Sequence, residues 1–426
     1  MSQRTTTSRA VHHHRDFRRL WASNLCQELG RQFATLAIAV TAVVLLEATA
    51  WQVGLITALG NIAYLLIGLP VGVWVDRWRK RRVLLWSDVV RAAAMLSIPV
   101  AHALSHLTII QLMVVAAVLS FSSVLADTAQ TAFVPQLVGP DKVSEATARL
   151  QSTDSTMRVI GPGLVSVVLL RIAAPWLHVV GALTSLLSAW SISSIKDEGV
   201  AAAGQRAEPF GAALRAGLGF TLQHAVLRVF LVTNGLVNLG AGVFATLVTV
   251  VALRDFAIPP EQYALAGALG AGGGIVGSLI GLRCRNRLGE IRTILVCYCL
   301  LPVAGLILPL GHVIPVPAVA LVAVSDFCFS CLVVVSAISG TGVRARTTPL
   351  ELMGRAASVS RFVTIGAVPV GALIGGLLGG ILPHGVALLS AVLATSTAAL
   401  CFWCSSIGRH RDLPEQWQVD QAPGLV

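Results

Sequence analysis

The sequence predicts an all-α membrane protein of twelve transmembrane helices in two six-helix bundles. Three observations carry this. Of 426 residues, 55% are hydrophobic and only 12% are charged, against roughly 25% charged in an ordinary soluble domain. Twelve long apolar runs follow one another along the chain, and about 20 such residues cross roughly 30 Å of hydrocarbon. The basic residues gather on alternate loops. A soluble globule of this size could not cover its surface with so few charges, and a disordered chain would be poor in apolar residues.

The runs are 20–46, 51–75, 83–103, 107–129, 151–172, 176–195, 227–253, 263–282, 291–310, 316–339, 357–381 and 386–407. Helices are expected rather than a barrel, because the runs are long and lack period-2 alternation. The connections 47–50, 104–106 and 173–175 are very short. The connection 196–224 is the longest and divides the chain six plus six. The expected organisation is an N-terminal tail (1–19), a first bundle (20–195), a middle loop (196–224), a second bundle (225–407) and a C-terminal tail (408–426). The first 19 residues are polar and basic, so no cleavable signal peptide is expected. His12, His13 and His14 read as a solvated tract rather than a metal site.

Net charge is +11, with 31 Lys and Arg. Of these, 25 fall in the two tails, the middle loop and the loops after spans 2, 4, 8 and 10. The opposite side holds only Arg171 and Arg254. The positive-inside rule then places both termini and the middle loop in the cytoplasm of a cell with this protein in its inner or plasma membrane. The basic residues orient the chain, so no nucleic-acid partner is expected. The eight cysteines lie mostly inside apolar runs. Cys328 and Cys331, like Cys401 and Cys404, share a helix face and read as apolar thiols rather than a redox or zinc pair.

The loop after span 2 reads Gly72-Val-Trp-Val-Asp76-Arg77-Trp78-Arg79-Lys80-Arg81-Arg82. It resembles the signature of the major facilitator superfamily, G-x-x-x-D-R-x-G-R-R/K. Gly72 is expected to allow close helix approach, Asp76 to meet basic groups, and Arg77, Lys80 and Arg81 to face anionic headgroups. Arg79 stands where the superfamily usually has a second Gly, so the turn there is expected to differ. The corresponding loop of the second half, Arg283 to Gly289, is a degraded echo. Further stretches agree: Asp127 to Pro135, Arg158 to Gly163, Thr348 to Arg355 and Pro369 to Gly376. Together they resemble the subgroup that holds macrolide-efflux and enterobactin-exporter-type proteins. The resemblance covers roughly Phe17 to Ile407. It implies the major facilitator fold and a rocker-switch exporter. Gly161 and Pro162 in span 5 half-match the antiporter motif, and read equally as a kinked, closely packed helix. Span 1 of this subgroup usually carries Gly-Asp, whereas this chain has Gly30-Arg31 with Glu28 on the same face.

Ionisable groups inside spans are costly and usually face a cavity or one another. Asp88 with Arg91 and Asp154 with Arg158 stand at helical spacing and are expected to pair. Glu28, Arg31, Asp127 and Asp326 fall on spans 1, 4 and 10, which the resemblance implies line the cavity. They are candidates for proton coupling or substrate binding, or else satisfied interhelical hydrogen bonds. Asn234 and Asn238 join them as polar candidates on span 7, with Asn24, Gln32, Asn61 and Tyr64 as further polar groups. Phe33, Phe121, Phe244 and Phe327 could meet an apolar cargo. The Gly-rich span 8 has no strand before it and no Lys-Ser/Thr after it, so it is not a nucleotide loop.

The expected protein is therefore not an enzyme. It needs no cofactor or metal, and draws on a proton gradient. It is expected to act as a monomer, exporting an amphipathic small molecule such as a drug, macrolide or siderophore by proton antiport. The alternatives are an uncoupled facilitator or uptake transporter of the same fold and, less favoured, a non-transporting membrane sensor.

Overall fold

The structure, a computed structural model, describes residues 15–68, 70–196, 218–311 and 315–418. The His12–His14 tract and most of the middle loop lie outside the described residues, as do the side chains of residues 350–355 in the Thr348 to Arg355 motif. The first half opens with α1 (Arg15–Val40), which continues as a five-residue π turn, Thr41–Leu45. The second crossing is built from α2 (Ala50–Leu59), α3 (Ile62–Leu66) and α4 (Val71–Arg77). The helices α5 (Lys80–Ala103), α6 (Ile109–Val138), α7 (Val143–Leu169) and α8 (Ala174–Ser193) complete it. The second half comprises α9 (Ala225–Val250) with its π turn Val251–Asp255, α10 (Pro260–Leu288), α11 (Glu290–Leu306), α12 (Ala318–Thr347), α13 (Leu350–Ile381) and α14 (His384–Cys404).

Nine described helices are long and apolar enough to cross a membrane unaided. The other three crossings fall short for local reasons. The second is broken in two places. Near its first break, the Asn61 amide donates back to the Thr57 carbonyl at 3.0 Å, a competition that disfavours continued helix. Its last piece starts after Pro70, which lacks a backbone N–H. The helix α7 carries Glu145, Arg149, Asp154 and Arg158 in its first half, and α11 is only 17 residues long. Helices α6, α12 and α13 run past the apolar runs at the end of the bundle where the termini lie.

The two halves repeat one another. In the first, α1 packs on α7 and α8, and α5 packs on α6 and α8. In the second, α9 packs on α13 and α14, and α11 on α12 and α14. The repeat extends to detail, because each leading helix ends in a π turn followed by a left-handed residue, Glu47 (φ 48°) or Ala257 (φ 48°). Large apolar side chains cover the outside, for example Ile110 at 72% and Trp190 at 70% exposed. That surface suits lipid, not water.

Packing between the halves pairs α2 with α13 and α7 with α10. It is concentrated at the end away from the termini. There a Cβ added to Gly54 would lie 2.7 Å from the Ala372 carbonyl oxygen and 2.8 Å from Gly376 Cα. Ser166 donates to the Glu261 carbonyl at 2.7 Å, and Arg254 donates to the Ala48 carbonyl at 2.9 Å. Val250 and Leu253 join the apolar cluster around Val43, Val53 and Leu112. The bundle is thus closed at that end.

Candidate functional site

Between the halves lies a cavity of about 600 Å³, walled by α1, α2, α3, α5, α6, α8, α9, α10 and α12. Its two walls differ. The first half supplies Arg31, Asn61, Tyr64, Arg91, Ser120 and Ser123 among its polar lining. The second half supplies mainly Ala241, Phe244, Ala245, Val248 and Phe329, with Thr249, Tyr263 and Asp326 as its polar groups. Phe244 and Phe329 stack with centroids 6.1 Å apart and planes 3° apart.

The polar wall is organised by two arginines. The Arg31 Nη2 atom sits 3.1 Å from Glu28 Oε1 and 3.2 Å from Asp127 Oδ1. The Tyr64 hydroxyl donates to Asp127 Oδ2 at 2.7 Å. Three elements thus converge on one guanidinium: α1 through the i, i+3 spacing, α6 through Asp127 and α3 through Tyr64. Glu28 is 4% exposed, and its Oε2 is buried without a hydrogen-bond partner. The second centre joins Arg91 to Asp88 at 3.5 Å and to Ser123 Oγ at 3.2 Å. Gln27 and Ser188 also donate to Asp88. The opposite wall carries one carboxyl, Asp326, whose Cβ packs against Gly270. No ion pair or hydrogen bond engages that carboxyl among the described residues.

The profile of the transmembrane secretion effector family, a branch of the major facilitator superfamily, matches residues 6–423. The chain belongs to this family. Among solved structures, the nucleoside transporter NupG is 14% identical, with TM-score 0.73 over 93% of this chain and 99% of that one. A bacterial homologue of the iron transporter ferroportin is 17% identical in its inward-facing state, with TM-score 0.72 over 91% and 98%. The same kind of homologue in its outward-facing state is 16% identical and scores 0.59 over 91% and 98%. No curated protein matches the sequence. Family and structural neighbours are transporters, not enzymes, and the protein is a multi-pass membrane transporter of major facilitator fold.

Several sequence expectations meet in the cavity of this transporter. Arg31 and Asp326 line it, and so do Asn61, Tyr64 and Phe244. Glu28 and Asp127 stand behind Arg31 as its counter-charges. Other candidates do not reach the cavity. The Asn234 and Asn238 amides donate back along α9 to Phe230 and Asn234 carbonyls at 2.8 and 2.9 Å, and the Tyr298 hydroxyl donates to Asn234. Both amides are thus engaged within α9, and neither asparagine is among the residues that line this cavity. Gln32 packs beneath Gly161. Phe33 is 3% exposed in a core cluster, and Phe327 lies with its backbone against Gly273. Phe329, two positions on, faces the cavity instead. Asp154 does not pair with Arg158, because the Asn24 amide donates to it at 2.7 Å and the Gln130 amide donates in turn to Asn24 at 2.8 Å.

The signature loop is also corrected. A Cβ on Gly72 would meet nothing within 4 Å, so Gly72 does not serve close packing here. Asp76 and Arg77 are exposed and make no side-chain ion pair among the described residues. Lys80 is 4% exposed and donates to the Asp76 carbonyl at 2.8 Å. Arg81 donates to the Ile192 and Ser193 carbonyls. Those carbonyls end α8, where a cation meets the negative end of the helix dipole. Arg79 adopts ordinary extended backbone, whereas Gly289 in the second-half loop is left-handed at φ 88°. The turns differ as the missing glycine predicts. Gly161 packs on Gln32 of α1, while Pro162 faces Gly267 of α10. The span 5 motif therefore seats α7 between α1 and the other half. The cysteines are all free, but Cys299, Cys401 and Cys404 are exposed on the bundle's outer surface rather than buried. Among the described residues no group of three or more His, Cys, Asp and Glu could hold a metal ion.

Proposed function

We propose that the chain exports an amphipathic small molecule by alternating access, in exchange for protons, from a cell membrane with both termini in the cytoplasm. The observation that carries this is the two-faced cavity. A polar wall centred on Arg31 faces a stacked Phe244–Phe329 wall, so the space suits a molecule with one polar and one apolar face. The family description, secretion, supports the outward direction. Asp326 stands on the apolar wall, and among the described residues no cationic or hydrogen-bond-donating side chain engages it. It can hold a proton or a donor group of the cargo, but not both, and that exclusivity is what antiport requires. The protein works as a monomer with no cofactor beyond the proton gradient.

The test uses inverted vesicles with an imposed proton gradient and a panel of amphipathic natural products. Wild type is expected to release protons on addition of cargo, and Asp326→Asn to lose that release. Cargo movement without a proton signal would overturn antiport and leave a facilitator. Phe244→Ala is expected to weaken cargo binding roughly tenfold, since an aromatic contact is worth about 0.5–1.5 kcal/mol beyond its buried area. The apparent affinity in the same vesicles checks this. An unchanged affinity would remove the aromatic wall from the site.

A further inference from the structure

A second cavity, of about 760 Å³, opens where the start of α1, the first turns of α7 and the end of α8 meet. It lies at the end that carries the termini, apart from the transport cavity. Arg15, Arg18, Arg19 and Arg149 line it, with Trp21 and Trp190. Two of these cations are already matched. Arg19 pairs with Asp16 at 3.0 Å and donates to the Ser194 carbonyl that ends α8. Arg149 pairs with Glu145 at 3.2 Å. Arg15 and Arg18 make no ion pair or hydrogen bond among the described residues. Among the described residues the groove therefore keeps two guanidinium groups without a counter-charge. Trp21 is fixed, because its indole N–H donates to Thr153 Oγ1 at 2.7 Å.

A continuous apolar track leaves the groove. Leu183, Leu186, Leu187 and Trp190 follow i, i+3, i+4, i+7 spacing on α8 and are 54%, 44%, 53% and 70% exposed. They form one stripe on the outer surface, running from the arginines toward the middle of the membrane. A small anion would use the arginines and ignore the stripe. A phospholipid would use both.

We propose that this groove is a binding site for the headgroup of an anionic phospholipid in the leaflet on the termini side. Arg15 and Arg18 hold the phosphodiester through charge-assisted hydrogen bonds, Trp190 lies at the headgroup level, and an acyl chain follows the α8 stripe. Basic pockets between spans recognise anionic headgroups in this way.

The test is native mass spectrometry of the delipidated full chain with equal amounts of phosphatidylglycerol and phosphatidylcholine. Wild type is expected to retain phosphatidylglycerol preferentially. Arg15→Gln/Arg18→Gln is expected to cut that retention at least about tenfold, each cation near an anionic headgroup contributing measurably. Trp190→Ala keeps every charge and is expected to weaken retention several-fold, which keeps the test valid if the double variant fails to fold. Arg79→Gln/Arg82→Gln removes two exposed charges elsewhere on the same end and should change nothing. Equal retention of both lipids overturns the proposal. So does an equal loss in the Arg79/Arg82 variant, which would mean diffuse surface attraction. Displacement of the lipid by glycerol 3-phosphate at matched concentration would mean a site for small phosphates, and would overturn the lipid assignment.

Discussion

Arg31→Gln is expected to abolish cargo-dependent transport and to destabilise the protein, and removing its two counter-charges as well is expected to restore much of the stability. The reason is the arrangement around its guanidinium. Glu28 and Asp127 both rest on Nη2 at 3.1 and 3.2 Å. Without Arg31, two carboxylates face each other inside the membrane with no cation between them. Removing one partner of a fully buried pair costs about 3–5 kcal/mol. The Arg31 and Asp127 side chains are 35% and 37% exposed, so solvent screens that part of the loss. Glu28, at 4% exposed with Oε2 unsatisfied, is not screened. A net destabilisation of about 2 kcal/mol follows from weighing these.

The check is thermal unfolding in detergent for Arg31→Gln, Glu28→Gln/Asp127→Asn and the triple variant. Groups in one network couple strongly, so the triple variant should be more stable than Arg31→Gln alone. Transport should stay absent in it, because the polar wall has lost its organising charge. A triple variant less stable than Arg31→Gln would show that the network is not held by charge compensation. Wild-type transport by Arg31→Gln would remove Arg31 from the site.

How much of this was legible beforehand differs residue by residue. The Glu28–Arg31 pair was legible, because i, i+3 spacing on a helix sets two side chains on one face. That Asp127 completes it was not, since 96 residues separate Arg31 from Asp127 and helix rotation is invisible in a sequence. The same blindness hid the surroundings of Asn234 and Asn238, whose spacing is helical and whose amides turn back onto α9. Asp154 followed the i, i+4 rule on paper, yet Asn24 of α1 reached it first. Hydropathy located every crossing but could not see that the second is three helices, because Gly60, Asn61 and Pro70 sit within an apolar run. The division into six and six was plain in the long middle loop. Its repeat at the level of π turns at Thr41–Leu45 and Val251–Asp255 was not, because the two stretches share little sequence.

Glycine separates stability from motion, and two substitutions make the separation measurable. Gly273→Val is expected to disrupt folding. A Cβ there would collide with the Phe327 carbonyl, inside the second half, where α10 and α12 lie against each other throughout. Gly270, Gly273, Gly277 and Gly281 form the stripe that permits this contact, in the manner of small-residue interfaces between membrane helices. Backbone atoms cannot yield as a flexible side chain can, so overpacking should exceed the usual cost of about 1–3 kcal/mol. Gly54→Val places a similar intrusion, 2.7 Å from the Ala372 carbonyl and 2.8 Å from Gly376 Cα, but across the boundary between halves. There the conflict is relieved by letting the halves part at the closed end, without unpacking either bundle. Gly54→Val is therefore expected to fold, to lose transport, and to shift the population toward opening at the end away from the termini. Spin-label distances between Gln52 and Leu382 positions, converted to cysteine in a background lacking the other cysteines, would lengthen relative to the parent. If Gly54→Val unfolds as Gly273→Val does, the boundary between the halves is fixed packing and not the surface that opens. If both variants fold and transport normally, neither close approach matters to the cycle.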